Sequence, residues 1–169
     1  MRRALDGLYD GAAWLAALCM VGTLAMVLAG IVGRAFDWFI AGTDAYAGYC
    51  TAGAGFLALA HTLKRGEHIR VTLILERLHG ASRRNLERFA LAAATLLAVA
   101  FAFYSVRLAW QSYDFHDVST GNDATPLWIP QITMALGAVV LAIAFVDELV
   151  LEWRGLRRVA APAEALHNE

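Results

Sequence analysis

Residues 11–33 read GAAWLAALCMVGTLAMVLAGIVG, a run of 23 residues without a charged side chain. A helix needs about 20 apolar residues to cross the hydrocarbon core of a bilayer, which is about 30 Å thick. Three more runs free of Asp, Glu, Lys and Arg follow, over residues 45–63, 89–106 and 126–146. We therefore predict an all-α integral membrane protein with four transmembrane helices.

The composition supports this class. The 169 residues are 59% hydrophobic and 17% charged, with a formal net charge of −1, whereas soluble domains are usually about 45–50% apolar and about 25% charged. The near-neutral balance leaves no basic surface for nucleic acid, so we expect no such partner. A signal peptide has an apolar region of only about 7–15 residues, so we expect the first run to be retained. We predict one membrane domain over residues 1–155 and a flexible cytoplasmic tail over residues 156–169.

Basic residues predict the orientation. Twelve of the 14 Lys and Arg residues lie in the N-terminal stretch, the loop 64–88 and the C-terminal tail. The other two loops hold only Arg34 and Arg107. Loops rich in Lys and Arg stay on the cytoplasmic side of a membrane. The sequence therefore predicts that both termini and the central loop are cytoplasmic.

A fifth, shorter helix is predicted between the second and third runs. Val71, Ile74, Leu75 and Leu78 follow the spacing i, i+3, i+4, i+7, which indicates an amphipathic helix over about 67–80. This helix is too short to cross a bilayer. It either lies on the anionic inner leaflet or packs against a cytosolic protein, and we favour the lipid surface.

The runs carry no evident chemistry. Their only histidine is His61, close to Lys64 at the predicted cytoplasmic interface. A b-type haem needs two axial ligands facing each other at depth, and His61 has no counterpart in another run. We find no nucleophile–base pair and no set of metal ligands, so we expect a protein that is not an enzyme and has no cofactor and no metal. Two alternatives stay open, a four-helix redox or haem anchor protein and a small exporter, although an exporter would be expected to carry a carboxylate at membrane depth.

Small residues at helical spacing mark the predicted helix faces. Ala90, Ala94, Ala98 and Ala102 form a stripe on the third run, and Ala138 and Ala142 continue the pattern on the fourth. Such stripes allow helices in lipid to approach closely. They either hold the four helices together or face a larger membrane partner. At the start of the fourth run we expect Thr125 to cap the helix and Pro126 to be its first residue.

Several local motifs are similar to those of a known family. They are the stretch from Val32-Gly33-Arg34 to Thr43-Asp44, the glycines Gly53 and Gly55, the segment Leu63-Lys64-Arg65-Gly66-Glu67-His68-Ile69-Arg70-Val71, and Thr125-Pro126-Leu127-Trp128-Ile129-Pro130 followed by Gly137. Together they resemble the small membrane subunit, DctQ-like, of tripartite ATP-independent periplasmic (TRAP) transporters. The similarity extends from about residue 8 to residue 153.

This resemblance implies a non-catalytic, multi-pass subunit of the bacterial inner membrane. Its implied partners are the lipid bilayer, a large multi-span membrane subunit that carries the substrate and sodium sites, and a soluble periplasmic binding protein. The binding protein delivers the substrate, typically an organic acid anion. The small subunit is expected to enlarge the static scaffold against which the transport domain moves, and to help dock the binding protein.

The resemblance also implies interface residues. Arg34 and Asp44 lie at the periplasmic ends of the first two spans, where they pair with each other, anchor the span ends or contact the binding protein. The family often has an acidic pair with a tryptophan around position 44, where this chain retains Asp44 alone.

The other implied residues lie at both faces of the membrane. Trp128, between Pro126 and Pro130, shapes the periplasmic face, and His68 and Arg70 lie where the cytoplasmic surface helix begins. The third loop is acidic and is expected to steer a basic patch on the partner. Its charged residues are Arg107, Asp114, Asp117 and Asp123.

Overall fold

The computed structural model describes residues 2–38, 40–65 and 81–155. They form four helices, α1 (Arg2–Ala35), α2 (Thr43–Arg65), α3 (Ala81–Asp114) and α4 (Trp128–Trp153). Within these ranges the only extended pairing is an isolated bridge between Val118 and Pro126. The all-α prediction is confirmed for this part of the chain. The amphipathic helix predicted over residues 67–80, with His68, Arg70, Val71, Ile74, Leu75 and Leu78, and the tail 156–169 lie outside the described residues.

Three helices are long and apolar enough to cross a membrane, namely α1, α3 and α4. The helices are also longer than the charge-free runs. α1 and α3 have 34 residues each, so at 1.5 Å per residue each is about 50 Å long. Both therefore extend well beyond a hydrocarbon core of about 30 Å. The helices continue past the charged residues that bound the apolar runs, so those residues do not coincide with the helix ends.

The fourth predicted span, α2, is not confirmed. Its 23 residues give a length of about 35 Å, which is sufficient. However, it contains no 18-residue stretch as apolar as those of the other three helices, because glycines, tyrosines and His61 interrupt the aliphatic residues. It is one of two inner helices, since it packs against both α1 and α4. Its buried residues are spread along its whole length, from Thr43 through Ala54 to Leu63.

Across the bundle the helices lie side by side in the order α1–α2–α4–α3. Helices that are consecutive in the sequence run antiparallel to each other. α2 contacts α1 and α4, α3 contacts α4, and α1 touches α4 only slightly. The two outer helices, α1 and α3, therefore expose large apolar side chains, among them Trp14, Leu24, Leu97 and Phe103. Exposed apolar faces of this extent are typical of contact with lipid or with a membrane partner.

The predicted alanine stripe joins α3 to α4. Ala98 and Ala102 of α3 form one buried cluster with Ala138 and Ala142 of α4, and Ala138 has no exposed surface. This part of the stripe therefore packs within the chain. All four members of the cluster are alanines, which allows the two backbones to approach closely.

Ion pairs join the helices at the end that carries the start of α1 and the end of α4, which we name the terminal end. Lys64 of α2 pairs with Asp6 of α1, and Arg88 of α3 lies 3.6 Å from Glu152 of α4. His61 Nδ1 lies 3.6 Å from Asp10 Oδ1, so the interfacial histidine faces a carboxylate of the neighbouring helix. Charges of opposite sign thus connect each outer helix to its inner neighbour.

Candidate functional site

The opposite end of the bundle, which we name the loop end, contains the predicted interface residues. Here α1 and α3 end and α2 and α4 begin. Arg34, Asp44, Asp114, Asp117 and Trp128 lie at the helix ends or in the connection between α3 and α4, and Arg107 lies two turns before the end of α3. The structure therefore brings all six to one end of the bundle, but in two separate groups.

The first group surrounds a cavity of about 510 Å³ between the end of α1 and the start of α2. Its lining includes Arg34, Asp37, Trp38, Asp44 and Asn122. Among the described residues, no ion pair joins Arg34 to Asp44. The cavity thus offers one guanidinium and two carboxylates, and its volume is within the range of about 300–1,000 Å³ that is typical of binding pockets.

The turn between α1 and α2 shapes this cavity through two glycines. The backbone N–H of Trp38 donates a 2.8 Å hydrogen bond to the Gly33 carbonyl, and a Cβ at Gly33 would lie 2.6 Å from the Trp38 carbonyl oxygen. Gly42 has a φ of +79°, a left-handed conformation that favours glycine. A side chain at either position would displace the turn that carries Asp37 and Asp44.

The connection from α3 to α4 is a narrow hairpin over residues 115–127. The Ser119 N–H donates to the Thr125 carbonyl at 2.8 Å, and the Leu127 N–H donates to the Asp117 carbonyl at 2.9 Å. The predicted cap at Thr125 is wrong, because α4 begins at Trp128 with Leu127 at the cap position and no side-chain cap. The Thr125 hydroxyl instead forms a 3.1 Å hydrogen bond with the hydroxyl of Tyr46 in α2.

Asp123 attaches this hairpin to α2. The Tyr49 hydroxyl donates to Asp123 Oδ2 at 3.0 Å, and the Ser119 hydroxyl donates to Oδ1 at 2.8 Å. Hydrogen bonds to a carboxylate favour its charged form, and the hydroxyls of Thr125, Ser119 and Tyr49 lower the pKa of Asp123 to about 2. From sequence, Asp123 was only one acidic loop residue, and Tyr49, inside an apolar run 74 positions away, gave no signal of this contact.

The second group lies on the α3–α4 side. The ring of Trp128 makes an edge-to-face contact with Tyr113, with ring centroids 5.7 Å apart, and Trp110 lies next to Tyr113. These rings line one end of an apolar groove of about 410 Å³ between the two helices. Their position at the helix ends fits aromatic residues at a membrane interface.

The charged members of the second group face solvent. Arg107, Asp114 and Asp117 have exposed side chains, and none of the three makes an ion pair within the described ranges. They are therefore open to a partner. In the same part of the chain, no three His, Cys, Asp or Glu side chains are close enough to hold a metal ion.

Comparison with known proteins identifies the family. Residues 23–155 match the model of the DctQ component of tripartite ATP-independent periplasmic transporters. The match covers about four fifths of the 169 residues and includes α2, α3 and α4 completely. No curated protein and no solved structure matches the chain. The resemblance inferred from the motifs is confirmed, and the chain belongs to the DctQ family, the small membrane components of TRAP transporters.

Proposed function

We propose that this chain is the non-catalytic small permease subunit of an inner-membrane TRAP transporter. In this role it enlarges the scaffold of the large membrane subunit and helps dock the periplasmic binding protein. The substrate is an organic acid anion taken up with sodium, and both the substrate site and the sodium sites lie on the large subunit. The observation that carries the proposal is the family match, combined with an apolar bundle whose charged cavity lies at one end.

We propose that all four helices cross the membrane, with both termini in the cytoplasm. The arrangement of basic residues supports this topology, since the loop end has few Lys and Arg residues. α2 spans as an inner helix. Because α1 and α4 cover its two sides, it needs less apolar surface than a helix that faces lipid.

The scaffold role rests on the two outer helices. α1 and α3 carry most of the exposed large apolar side chains, including Leu24 at 60% exposed and Leu97 at 71% exposed. In this proposal the large subunit covers part of these faces and lipid covers the rest. The chain contributes a rigid wall, because its inner contacts are formed by alanine and glycine backbones that pack closely.

The docking role rests on the loop end. The cavity residues Arg34, Asp37 and Asp44 present both signs of charge to the periplasmic side, and Asp114 and Asp117 add negative charge on the α3–α4 side of the loop end. Complementary charges on a partner raise the association rate and fix the orientation of docking. A basic patch on the binding protein fits this surface.

A reconstitution tests the proposed function. Proteoliposomes that contain the large subunit alone are compared with proteoliposomes that contain both membrane subunits, each with the binding protein and a sodium gradient. We expect substrate uptake only when this chain is present. Full uptake by the large subunit alone would overturn the scaffold role, and a Soret absorbance band in the purified chain would favour the haem anchor alternative.

A further inference from the structure

We propose that Asp123 is a positioning residue, which latches the hairpin 115–127 onto α2 and thereby holds one wall of the docking cavity in place. The proposal rests on the docking function proposed above. The latch is the pair of hydrogen bonds that Asp123 accepts from Tyr49 on α2 and from Ser119 within the hairpin.

The two oxygens of Asp123 serve different elements. Oδ1 accepts from Ser119, which closes the tip of the hairpin, and Oδ2 accepts from Tyr49, which lies on the second turn of α2. One carboxylate therefore joins the hairpin to the helix. The hairpin's own backbone hydrogen bonds define its shape, but they do not determine its position relative to α2.

Close packing adds to the hydrogen bonds. A Cβ at Gly42 would lie 2.7 Å from the Asp123 Cβ, so Asp123 lies directly against the turn that precedes α2. The two residues before it, Gly121 and Asn122, line the cavity together with Arg34 and Asp44. The position of Asp123 therefore sets the position of the cavity wall.

A second contact repeats the attachment one turn away. Tyr46 lies three residues before Tyr49 on α2, and its hydroxyl forms a hydrogen bond with Thr125. The two tyrosine rings meet edge to face with centroids 6.1 Å apart. Neighbouring residues of the hairpin thus bind neighbouring positions of one helix face, which gives the hairpin a defined orientation.

The experiment distinguishes an effect on the position of the hairpin from an effect of the lost charge at Asp123. Asp123→Asn removes the charge and weakens the latch, whereas Tyr49→Phe and Ser119→Ala each remove one donor and leave the charge unchanged. Asp117→Asn is the matched control for charge, because Asp117 is exposed on the same hairpin. Tyr104→Phe is the control for loss of a phenol, since Tyr104 is exposed and has no hydrogen bond among the described residues.

Two measurements are made on each variant. The first is the distance between spin labels at positions 122 and 41, in a chain whose Cys19 and Cys50 are replaced by alanine and which is assembled with the large subunit. The second is the rate of association and dissociation of the binding protein from the assembled complex without labels. The melting temperature of the complex shows whether a variant is folded.

We expect Asp123→Asn and Tyr49→Phe to broaden the label distance and to raise the dissociation rate about tenfold, as loss of a hydrogen bond to a charged group predicts. The melting temperature should fall by no more than a few degrees, since each variant loses only hydrogen bonds of the latch. Asp117→Asn should leave the distance unchanged and affect mainly the association rate. An unchanged distance in Asp123→Asn would overturn the latch, and so would equal effects of Asp123→Asn and Asp117→Asn on docking.

The two proposals can fail separately. If the distance broadens while docking stays unchanged, the latch exists but does not serve docking, and the link drawn here is wrong. If the binding protein does not bind the wild-type complex at all, the proposed docking function fails. The spin-label distances then still decide whether Asp123 holds the hairpin.

Discussion

Gly137 of α4 lies against the backbone of Phe56 in α2. A Cβ at position 137 would be 2.5 Å from the Phe56 carbonyl carbon and 2.6 Å from its oxygen. The neighbouring atoms belong to a helix backbone and cannot rotate away. The contact between the two inner helices therefore depends on the absence of a side chain at this position.

We expect Gly137→Ala to destabilise the bundle by about 1–3 kcal/mol, the usual range for overpacking a filled interior. Thermal unfolding of the purified chain in mild detergent measures the effect. Gly55→Ala in α2 is the control, because no atom lies within 4 Å of a Cβ at position 55. Equal melting temperatures for the two variants would contradict the close contact of α2 with α4.

A polar pair joins α1 and α2 within the apolar part of the bundle. The hydroxyls of Thr23 and Thr51 lie 3.3 Å apart, and each is also within hydrogen-bonding distance of a carbonyl one turn earlier in its own helix. Each hydroxyl has one hydrogen, so a bond between the two competes with a bond to a carbonyl. Hydrogen bonds between membrane helices average about 0.6 kcal/mol in double-mutant cycles. We expect the cycle of Thr23→Val and Thr51→Val to give a coupling energy below about 1 kcal/mol, and a value of several kcal/mol would contradict this geometry.

The Asp123 latch should be insensitive to pH in the physiological range. The neighbouring hydroxyls of Thr125, Ser119 and Tyr49 lower the pKa of Asp123 to about 2, from about 3.9 in an unstructured peptide. A lowered pKa stabilises the folded form above the unstructured value, and this contribution is lost as the pH falls through the folded value. The distance between labels at positions 122 and 41 should therefore stay constant from pH 8 to pH 5 and lengthen only in strong acid. A change near pH 6 would show that another group controls the hairpin.

Charge reversal in the cavity should slow docking. Asp44→Lys changes the net charge by two at the proposed periplasmic side. We expect an association rate up to about tenfold lower than that of the wild type, and this difference should decrease at high salt. Glu87→Lys makes the same charge change at the terminal end, on α3 beside Arg83. Stopped-flow measurements should show slower association of the binding protein with the Asp44→Lys complex and an unchanged association rate with the Glu87→Lys complex. Equal effects would place the docking surface elsewhere.

The topology can be tested by labelling single cysteines in intact cells, again in a chain without Cys19 and Cys50. A cysteine at position 117 should react with a membrane-impermeant maleimide added from the periplasmic side. A cysteine at position 154 should react only after the inner membrane is opened. Labelling of both positions from outside would contradict the single span, α4, that we place between them, and with it the cytoplasmic location of the C-terminus.

The sequence predicted the helices well because charges are excluded from the bilayer core. For Arg34 and Asp44 it left pairing, anchoring and partner contact open, and the structure places both residues in the lining of one cavity. Its prediction of the second span depended on charge alone. The inner position of α2 between α1 and α4 is a feature that a single sequence does not reveal. The start of α4 was also misplaced, because a Thr-Pro pair fits a helix cap as well as it fits the strand-like bridge in which Pro126 lies.

The Asp123–Tyr49 contact was beyond the reach of sequence patterns. The two residues are 74 positions apart, and a tyrosine near the start of a span is expected at the lipid interface whether or not it has a partner. The two residues come into contact only because the hairpin packs on α2. The alanine stripe, in contrast, indicated a close helix contact from spacing alone, although not which helix would supply the other side.

The helix order α1–α2–α4–α3 also bears on biogenesis. Each outer helix packs mainly on the helix that follows it in the sequence. α1 can therefore fold onto α2, and α3 onto α4, as two hairpins that insert one after the other during synthesis. Neither hairpin has to open to admit the other. The contact of Gly137 with Phe56 then closes last, so a bulky residue at position 137 would let both hairpins insert and would arrest the protein as two unjoined halves.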